Sequence, residues 1–322
     1  MRGTVKAVFL DFSTLGPDEL DPGPLLEVLP GLEFFDSTEP EATSGRIREA
    51  EFVLTNKIRL DEDLLSSAKR LKFIGLTATG TDNVDLAAAR KLDIAVTNIR
   101  AYCTRSVVEH VFGVVLSLTH NLNRYHRAVR EGDWRKADVF CLLEYPIREL
   151  SAMTLGIVGY GELGRGVADM ARAFGMRTLI TRRRGAPVTA DGRTHFEEVL
   201  ERSDIVSLHC PLTEETQNLM GAAEFRSMKR NAILINTARG GLVDSQALVD
   251  ALREGRLGGA GIDVLRQEPP VHGDPLLDYE GDNLILTPHI AWATVEARQN
   301  AVNELAKNVS SFISGERRNR VV

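Results

Sequence analysis

Three shortages in the chain each exclude a class of protein. Its three cysteines, Cys103, Cys141 and Cys210, are far apart, odd in number and never in a CxxC pair. That leaves no disulfide framework and no thiolate zinc site, and it suits a reducing compartment, so a cytoplasmic protein is expected. Positive charge is not in excess. With 39 Lys and Arg against 45 Asp and Glu the net charge is −6, which argues against nucleic acid or an anionic membrane as the main partner. Apolar runs are interrupted well before membrane-spanning length, and the opening MRGTVKAVFLDF is too short in its apolar part for a signal peptide. What remains is an ordinary globular composition, with length enough for two domains that each bury a core.

The chain is organised around MTLGIVGYGELGRGVADMARAFGM, residues 153–176. Leu155, Ile157 and Val158 form a short apolar run that ends in a glycine turn, after which Leu163, Val167, Met170, Ala171 and Phe174 recur at helical spacing. This pattern predicts a buried strand running into an amphipathic helix. Gly159, Gly161 and Gly164 make G-x-G-x-x-G at the junction. The first glycine permits the turn, the second lets a pyrophosphate approach the backbone, and the third lets helix and strand pack closely. The helix N-terminus offers N–H groups and a positive dipole end to phosphates. Dinucleotide binding is the reading, with a purely structural glycine turn as the alternative.

About 20 residues on, an NAD enzyme carries an acidic residue for the ribose 2′-hydroxyl. Here the strand MRTLITRRRG ends in Thr181, Arg182, Arg183 and Arg184, with no carboxylate. A hydroxyl and guanidinium groups suit a 2′-phosphate. The sequence therefore favours NADP(H) over NAD(H), against the bland reading of solvated loop arginines.

Elsewhere the first hundred residues alternate strand and helix, as in a parallel sheet covered on both faces. Residues 102–132 read as one long apolar-faced helical stretch leading into the second domain. WRKADVFCLLEYPIREL reads as irregular, a loop or an arm that packs on a partner subunit. Beyond the glycine turn come RTLITR, DIVSLHCPL, NAILINTARG, GAGIDV and NLILTPH as strands, with TEETQNLMGAAEFRSM and VDSQALVDALREG as helical segments. The last long amphipathic segment, ATVEARQNAVNELAKNVSSFISG, is expected to return to the first domain and make it discontinuous.

Three polar residues follow apolar strands of the second domain: Arg239 in NTARGG, Glu268 in RQEPP and His289 in LTPHIAW. An arginine can hold a carboxylate bidentately and polarise a neighbouring carbonyl. A histidine beside a glutamate has its protonated form favoured and can deliver a proton to a developing alkoxide. Together they suffice for reversible reduction of a 2-keto acid beside a nicotinamide. Each also has a plainer reading, as a surface ion-pair partner, a turn residue or a helix-cap histidine. The other histidines, His110, His120, His126, His195, His209 and His272, read as structural or exposed.

The motifs GYGELG, SLHCPLTEET, NTARGGLVD, AGIDV, QEPP and LTPHIAW, in this order, resemble the D-isomer-specific 2-hydroxyacid dehydrogenase family. ATGTDNVDLAAA and NIRAYCTRSVVEH match towards the N-terminus, so the resemblance covers essentially the whole chain. It implies catalytic roles for Arg239, Glu268 and His289, with His289 the acid/base and Glu268 its partner. It implies that main-chain N–H groups around Ala78, Thr79 and Gly80 receive the substrate carboxylate. It places Thr104, Glu162, Leu163, Cys210, Pro211, Thr216, Thr237, Ala238 and Asp263 along the cofactor, with Asp263 near the nicotinamide carboxamide. No metal is implied. A homodimer formed through the nucleotide domain is implied, as is closure of the two domains over substrate.

The fold that follows is α/β with two doubly wound parallel-sheet domains. A Rossmann nucleotide-binding domain, 102–291, is inserted in a flavodoxin-like substrate domain, 1–101 plus 292–322. Within the family, GDWRKADVFC followed by the GYGELG stretch is most similar to glycerate dehydrogenases, which act as hydroxypyruvate reductases. Bacterial relatives of this subgroup often keep an acidic residue where Thr181 stands, a departure that again points to NADPH. The expected reaction is reduction of hydroxypyruvate or glyoxylate to D-glycerate or glycolate. Another D-2-hydroxyacid dehydrogenase, such as a D-lactate-like enzyme, is the alternative within the class. A phosphoglycerate dehydrogenase would carry a further C-terminal domain, and a formate dehydrogenase would lack the carboxylate at Glu268. A non-catalytic NAD(H)-sensing protein, like the corepressors of this fold, would have lost the trio.

Overall fold

The computed structural model describes residues 5–183 and 192–322. The chain divides into one unit of Met1–Cys103 with Trp292–Val322 and a second of Thr104–Ala291. The division falls two residues later than the 101/102 split read from the sequence, where the helix Thr104–Thr119 starts.

In the first unit five short strands, β1 (Ala7–Phe9), β2 (Leu32–Phe34), β3 (Phe52–Thr55), β4 (Phe73–Leu76) and β5 (Ala95–Thr97), form a parallel sheet in the order β2-β1-β3-β4-β5. This is the flavodoxin-like order, with its reversal between β1 and β3. Along β1, β3, β4 and β5 alternate side chains enter opposite cores, whereas edge strand β2 turns Glu33 outward. Ala7, Phe9, Phe52, Leu54 and Phe73 meet Leu25, Val302, Leu305 and Val309 on one face, while Val8, Leu10, Val53, Ile74 and Leu76 meet Ile47, Leu65 and Ala88 on the other. Both faces are buried, which is why these strands read as continuous apolar runs rather than alternating ones. The helix Val295–Ile313, capped by Thr294 Oγ1 on the Ala297 N–H, supplies Val302, Leu305 and Val309 to the first face. It packs so closely that a Cβ on Gly75 would lie 2.5 Å from Leu305 Cδ1.

The second unit holds a six-stranded parallel sheet of β6 (Thr154–Val158), β7 (Arg177–Ile180), β8 (Ile205–Leu208), β9 (Ala232–Asn236), β10 (Leu257–Ile262) and β11 (Leu284–Leu286). Its order is β11-β10-β9-β8-β6-β7, so strand direction of winding reverses between β6 and β8. Two helical expectations need correction. Residues 102–132 are not one helix but two, Thr104–Thr119 and Leu122–Glu131, because Asn121 takes a left-handed conformation with φ +50° between them. Of TEETQNLMGAAEFRSM only Ala222–Ser227 is helical. Thr216 Oγ1 instead donates to Pro211 O at 2.8 Å and accepts from Thr213 N at 2.7 Å, satisfying its own loop in place of a helix. The segment after Leu122–Glu131 is irregular beyond a short 3-10 turn at Trp134–Lys136, with Phe140 89% and Leu143 80% exposed. Among the described residues no helix is long and apolar enough to cross a membrane.

Candidate active site

The glycine turn joins β6 to the helix Glu162–Ala173. Gly159 has φ +94°, and a Cβ there would lie 2.5 Å from Cys210 N and from the carbonyl carbon of His209. A side chain would thus collide with the end of β8 in a backbone conformation that L residues rarely adopt. Gly164 is required for a different reason: its Cβ would lie 2.1 Å from Gly159 O, so helix and strand meet only without it. Around Gly161, by contrast, a Cβ would meet nothing within 4 Å, which leaves the open approach that a pyrophosphate needs. Glu162 and Leu163 open the helix, and Thr104 Oγ1 donates to Glu162 Oε1. Thr237 follows β9, with its buried hydroxyl lacking a partner among the described residues. These features fit a dinucleotide.

At the neighbouring end of β8, Cys210 is half-buried and its thiol is pushed up to about 11 by that burial. His209, before it, is lowered to about 4 by burial, and its Nε2 lies 2.9 Å from Ser207 Oγ. Pro211 and Thr216 shape the loop that follows. Beyond β7 the arginines separate. Thr181 is buried in a bridge to Thr194, and Arg182, 7% exposed, lays its guanidinium against the His195 ring. Arg182 is therefore not a solvent-facing phosphate arm in this structure. Arg183 is exposed and pairs with Glu215 at 3.3 Å. Arg184 lies outside the described residues.

Arg239, Glu268 and His289 follow β9, β10 and β11, three adjacent strands of the sheet. Neighbouring strands lie about 4.8 Å apart, so their carboxyl-end loops share one edge. The first loop is tied by Asn236, fully buried, whose Oδ1 accepts from Ala238 N and whose Nδ2 donates to Arg239 O. Arg239 Nη1 donates to Ala238 O at 2.8 Å. A Cβ on Gly240 would lie 2.0 Å from the Leu265 carbonyl carbon, so the loops bearing Arg239 and Glu268 are in backbone contact. Leu265 N donates to Glu268 Oε1 at 2.8 Å, and Glu268 Oε2 sits 2.6 Å from His289 Nδ1.

His289 itself is held in the left-handed region, φ +56°. Such a conformation costs on the order of 1 kcal/mol and persists only where the surroundings enforce it. Asp263 enforces it. This residue, 2% exposed, takes the His289 N–H on its main-chain oxygen at 2.8 Å, and its carboxylate accepts from Thr287 Oγ1 at 2.6 Å and from Ile290 N and Ala291 N at 2.9 Å each. Its observed partners are thus the protein's own loop. His110, read from sequence as structural, joins this network with Nε2 3.2 Å from Thr287 Oγ1. Asn236, Thr287 and His110 were missed as contributors. Only the position of Asn236 at the end of a buried strand hinted at it.

In the first unit, Ala78, Thr79 and Gly80 follow β4. Asn98 Nδ2 donates to Thr79 O at 2.7 Å, Thr79 Oγ1 to Ile99 O at 3.0 Å, and Ile99 N to Ala78 O at 3.1 Å, so the carbonyls of this loop are engaged from one side. Among the described residues, no group of three or more His, Cys, Asp or Glu could hold a metal ion.

A doubly wound sheet whose first strand ends in this glycine turn defines a dinucleotide-binding α/β protein, here with a histidine–glutamate contact at the edge of the same sheet. Residues 112–291 match the model of the D-isomer specific 2-hydroxyacid dehydrogenase, NAD binding domain. The chain is 45% identical to a glycerate dehydrogenase of Methylorubrum extorquens over 90% of its own length and 91% of that protein's. It is 34% identical to a hydroxypyruvate reductase of Blautia hydrogenotrophica over 97% and 98% of the two chains. Among solved structures, D-lactate dehydrogenase from Aquifex aeolicus complexed with NAD and lactic acid superposes with a TM-score of 0.82 at 32% identity, covering 97% of this chain and 96% of that one. The chain belongs to the D-isomer specific 2-hydroxyacid dehydrogenase family, and its cofactor is a nicotinamide dinucleotide.

Proposed function

We propose that this chain reversibly reduces hydroxypyruvate, and glyoxylate beside it, to D-glycerate and glycolate, with NADPH preferred to NADH. The supporting observation for the chemistry is the 2.6 Å approach of His289 Nδ1 to Glu268 Oε2 on a loop whose backbone Asp263 fixes. When bound, the reduced nicotinamide supplies a hydride to the keto carbon. The protein's residues do the rest. Arg239 holds the substrate carboxylate and polarises the keto oxygen. His289 carries the proton on Nε2, opposite the nitrogen facing Glu268, and gives it to that oxygen as negative charge develops. Glu268 orients the ring and balances its positive charge before transfer. In oxidation the same nitrogen takes the proton back. The N–H groups of Ala78, Thr79 and Gly80 serve as carboxylate donors on the first unit.

The NADPH preference rests on the absence of a carboxylate in RTLITRRRG and on the exposed guanidinium of Arg183 there. The expected lining of the cofactor is Thr104, Gly159, Gly161, Glu162, Leu163, Gly164, Thr181, Arg183, Cys210, Pro211, Thr216, Thr237, Ala238 and Asp263. A homodimer is part of the same reading, supported by the exposed apolar arm at Phe140 and Leu143. The test is the initial rate with hydroxypyruvate, comparing NADPH and NADH at equal concentration. Faster turnover with NADPH, reduced by Arg183→Ala, is expected. Preference for NADH would overturn the cofactor assignment, and no turnover across a panel including glyoxylate and pyruvate would overturn the function.

A further inference from the structure

One face of the helix Thr104–Thr119 runs along β10 in step with it. Leu118 and Val114 stand over two glycines of that strand: a Cβ on Gly259 would lie 3.2 Å from Leu118 Cδ2, and one on Gly261 would lie 2.3 Å from Val114 Cγ1. Four residues of helix advance about 6.0 Å and two residues of strand about 6.6 Å, so the match continues past Gly261. The next step brings His110 beside Asp263, with Nε2 3.8 Å from Oδ1. One turn further, Ser106 Oγ donates to Ala291 O at 2.7 Å. The apolar steps set the register of the helix, and the polar steps fall at both ends of residues 287–291, the loop that carries His289.

The contact made by His110 has a defined direction. Thr287 Oγ1 has a single proton, and it is directed at Asp263 Oδ1, 2.6 Å away. Its lone pairs are left for His110 Nε2 at 3.2 Å, so the imidazole must present an N–H there. At 3.8 Å from the carboxylate, Nε2 is too far for a direct bond, and the hydroxyl is the link. The result is a chain from His110 through Thr287 to Asp263, whose carboxylate also accepts from Ile290 N and Ala291 N. The His110 side chain is only 17% exposed, so water is a poor substitute for its donor. His289 lies between the anchored ends at φ +56°, a conformation that its surroundings have to hold.

We propose that His110 is a positioning residue for the acid-base histidine. Its Nε2–H holds the Thr287 hydroxyl on Asp263 and so sets the loop in which His289 meets Glu268. It therefore acts on the chemical step rather than on affinity. The inference rests on the function proposed above. His110→Phe keeps a ring but loses the donor. The expected result is a kcat for hydroxypyruvate about five- to tenfold lower, with its KM and the NADPH affinity within about twofold. His110→Gln, whose amide can present an N–H near the place of Nε2, should keep kcat within about twofold of wild type. Thr287→Val breaks the chain at its middle, so adding His110→Phe to it should lower kcat by no more than about twofold further. Val249→Ala, in the core of the same unit, is the control for lost stability alone and should leave kcat unmoved. Equal losses in the Gln and Phe variants would make the residue's role one of packing and overturn the inference. A loss confined to KM, or effects of His110→Phe and Thr287→Val that multiply in the double variant, would overturn it too. If His110→Phe does not fold, a wild-type kcat in Thr287→Val overturns it. A wild-type chain that reduces no 2-keto acid would sink the proposed function and this inference with it, whereas wild-type turnover with an unmoved His110→Phe kcat sinks this inference alone.

Discussion

Glu268→Gln removes a charge and little else, and its effect can be worked from the contacts. In the native loop one carboxylate oxygen takes the Leu265 N–H at 2.8 Å while the other faces His289 Nδ1 at 2.6 Å. Glutamine has a single acceptor oxygen. If that oxygen stays with Leu265, the NH2 group faces Nδ1 and the ring loses its carboxylate partner. If the amide flips, Leu265 N–H loses its partner. Hydrogen bonds to charged groups contribute about 1.5–3 kcal/mol. The two side chains are 30% and 35% exposed, so water competes and the lower half of that range applies. About 1.5–2 kcal/mol of lost transition-state stabilisation corresponds to a roughly 10- to 30-fold fall in kcat. On the proposed mechanism reduction should suffer more than oxidation, because there reduction needs the proton on Nε2 and oxidation needs it absent. The assay is steady-state kcat and KM in both directions, with NADPH affinity from cofactor fluorescence. The KM for the keto acid should stay within about twofold, since the proposed mechanism gives Glu268 no contact with it. A kcat within twofold of wild type, or a loss confined to KM, would refute the reasoning.

Gly159→Ala should weaken NADPH binding by at least about tenfold and lower the melting temperature, because it combines left-handed strain with collision on the β8 end; cofactor titration monitored by fluorescence checks this, and wild-type affinity would contradict it. His209 gives a pH prediction. Its folded pKa of about 4 lies below the unfolded reference of 6.5, so the unfolded chain takes the proton first, and stability falls as pH drops from 6.5 towards 4 by up to about 1.4 kcal/mol per unit. His209→Gln should narrow the gap between urea midpoints at pH 7.5 and pH 5, and an unchanged gap would count against this source of acid sensitivity. With its thiol pushed up to about 11, Cys210 should stay protonated and resist iodoacetamide at pH 8; mass spectrometry that finds Cys210 alkylated before the other cysteines would refute it.

Readings that held in the structure concern local chemistry. Gly159 and Gly164 of GYGELG are required by atoms a few residues or one strand away, while Gly161 leaves an open approach, so the spacing alone announced the turn. The strands of both sheets were legible because burial on two faces demands unbroken apolar runs. The misreadings share a cause. Apolar spacing continues through Asn121, and nothing short-range says that φ turns positive there. TEETQN has helical composition, but Thr216 meets its loop's hydrogen-bonding needs from within. Arg182 carries the same charge as Arg183, and only packing decides that one lies against His195 while the other reaches solvent.

The same boundary runs through the site. Arg239, Glu268 and His289 could be chosen by residue type and by their place after apolar strands. Their 50-residue span says nothing of proximity. Strand order does that, by laying β9, β10 and β11 side by side. The buried carboxylate of Asp263 was invisible as an organiser for the same reason, since its partners lie 24 to 28 positions away and are mostly main-chain N–H groups, which every residue but proline possesses. Sequence by itself determined the element types, the glycine turn and the chemical vocabulary of the site, because propensity and spacing act over a few residues. Tertiary structure decided which side chains face one another and which backbone groups hold them there, because that depends on the order in which distant strands join one sheet.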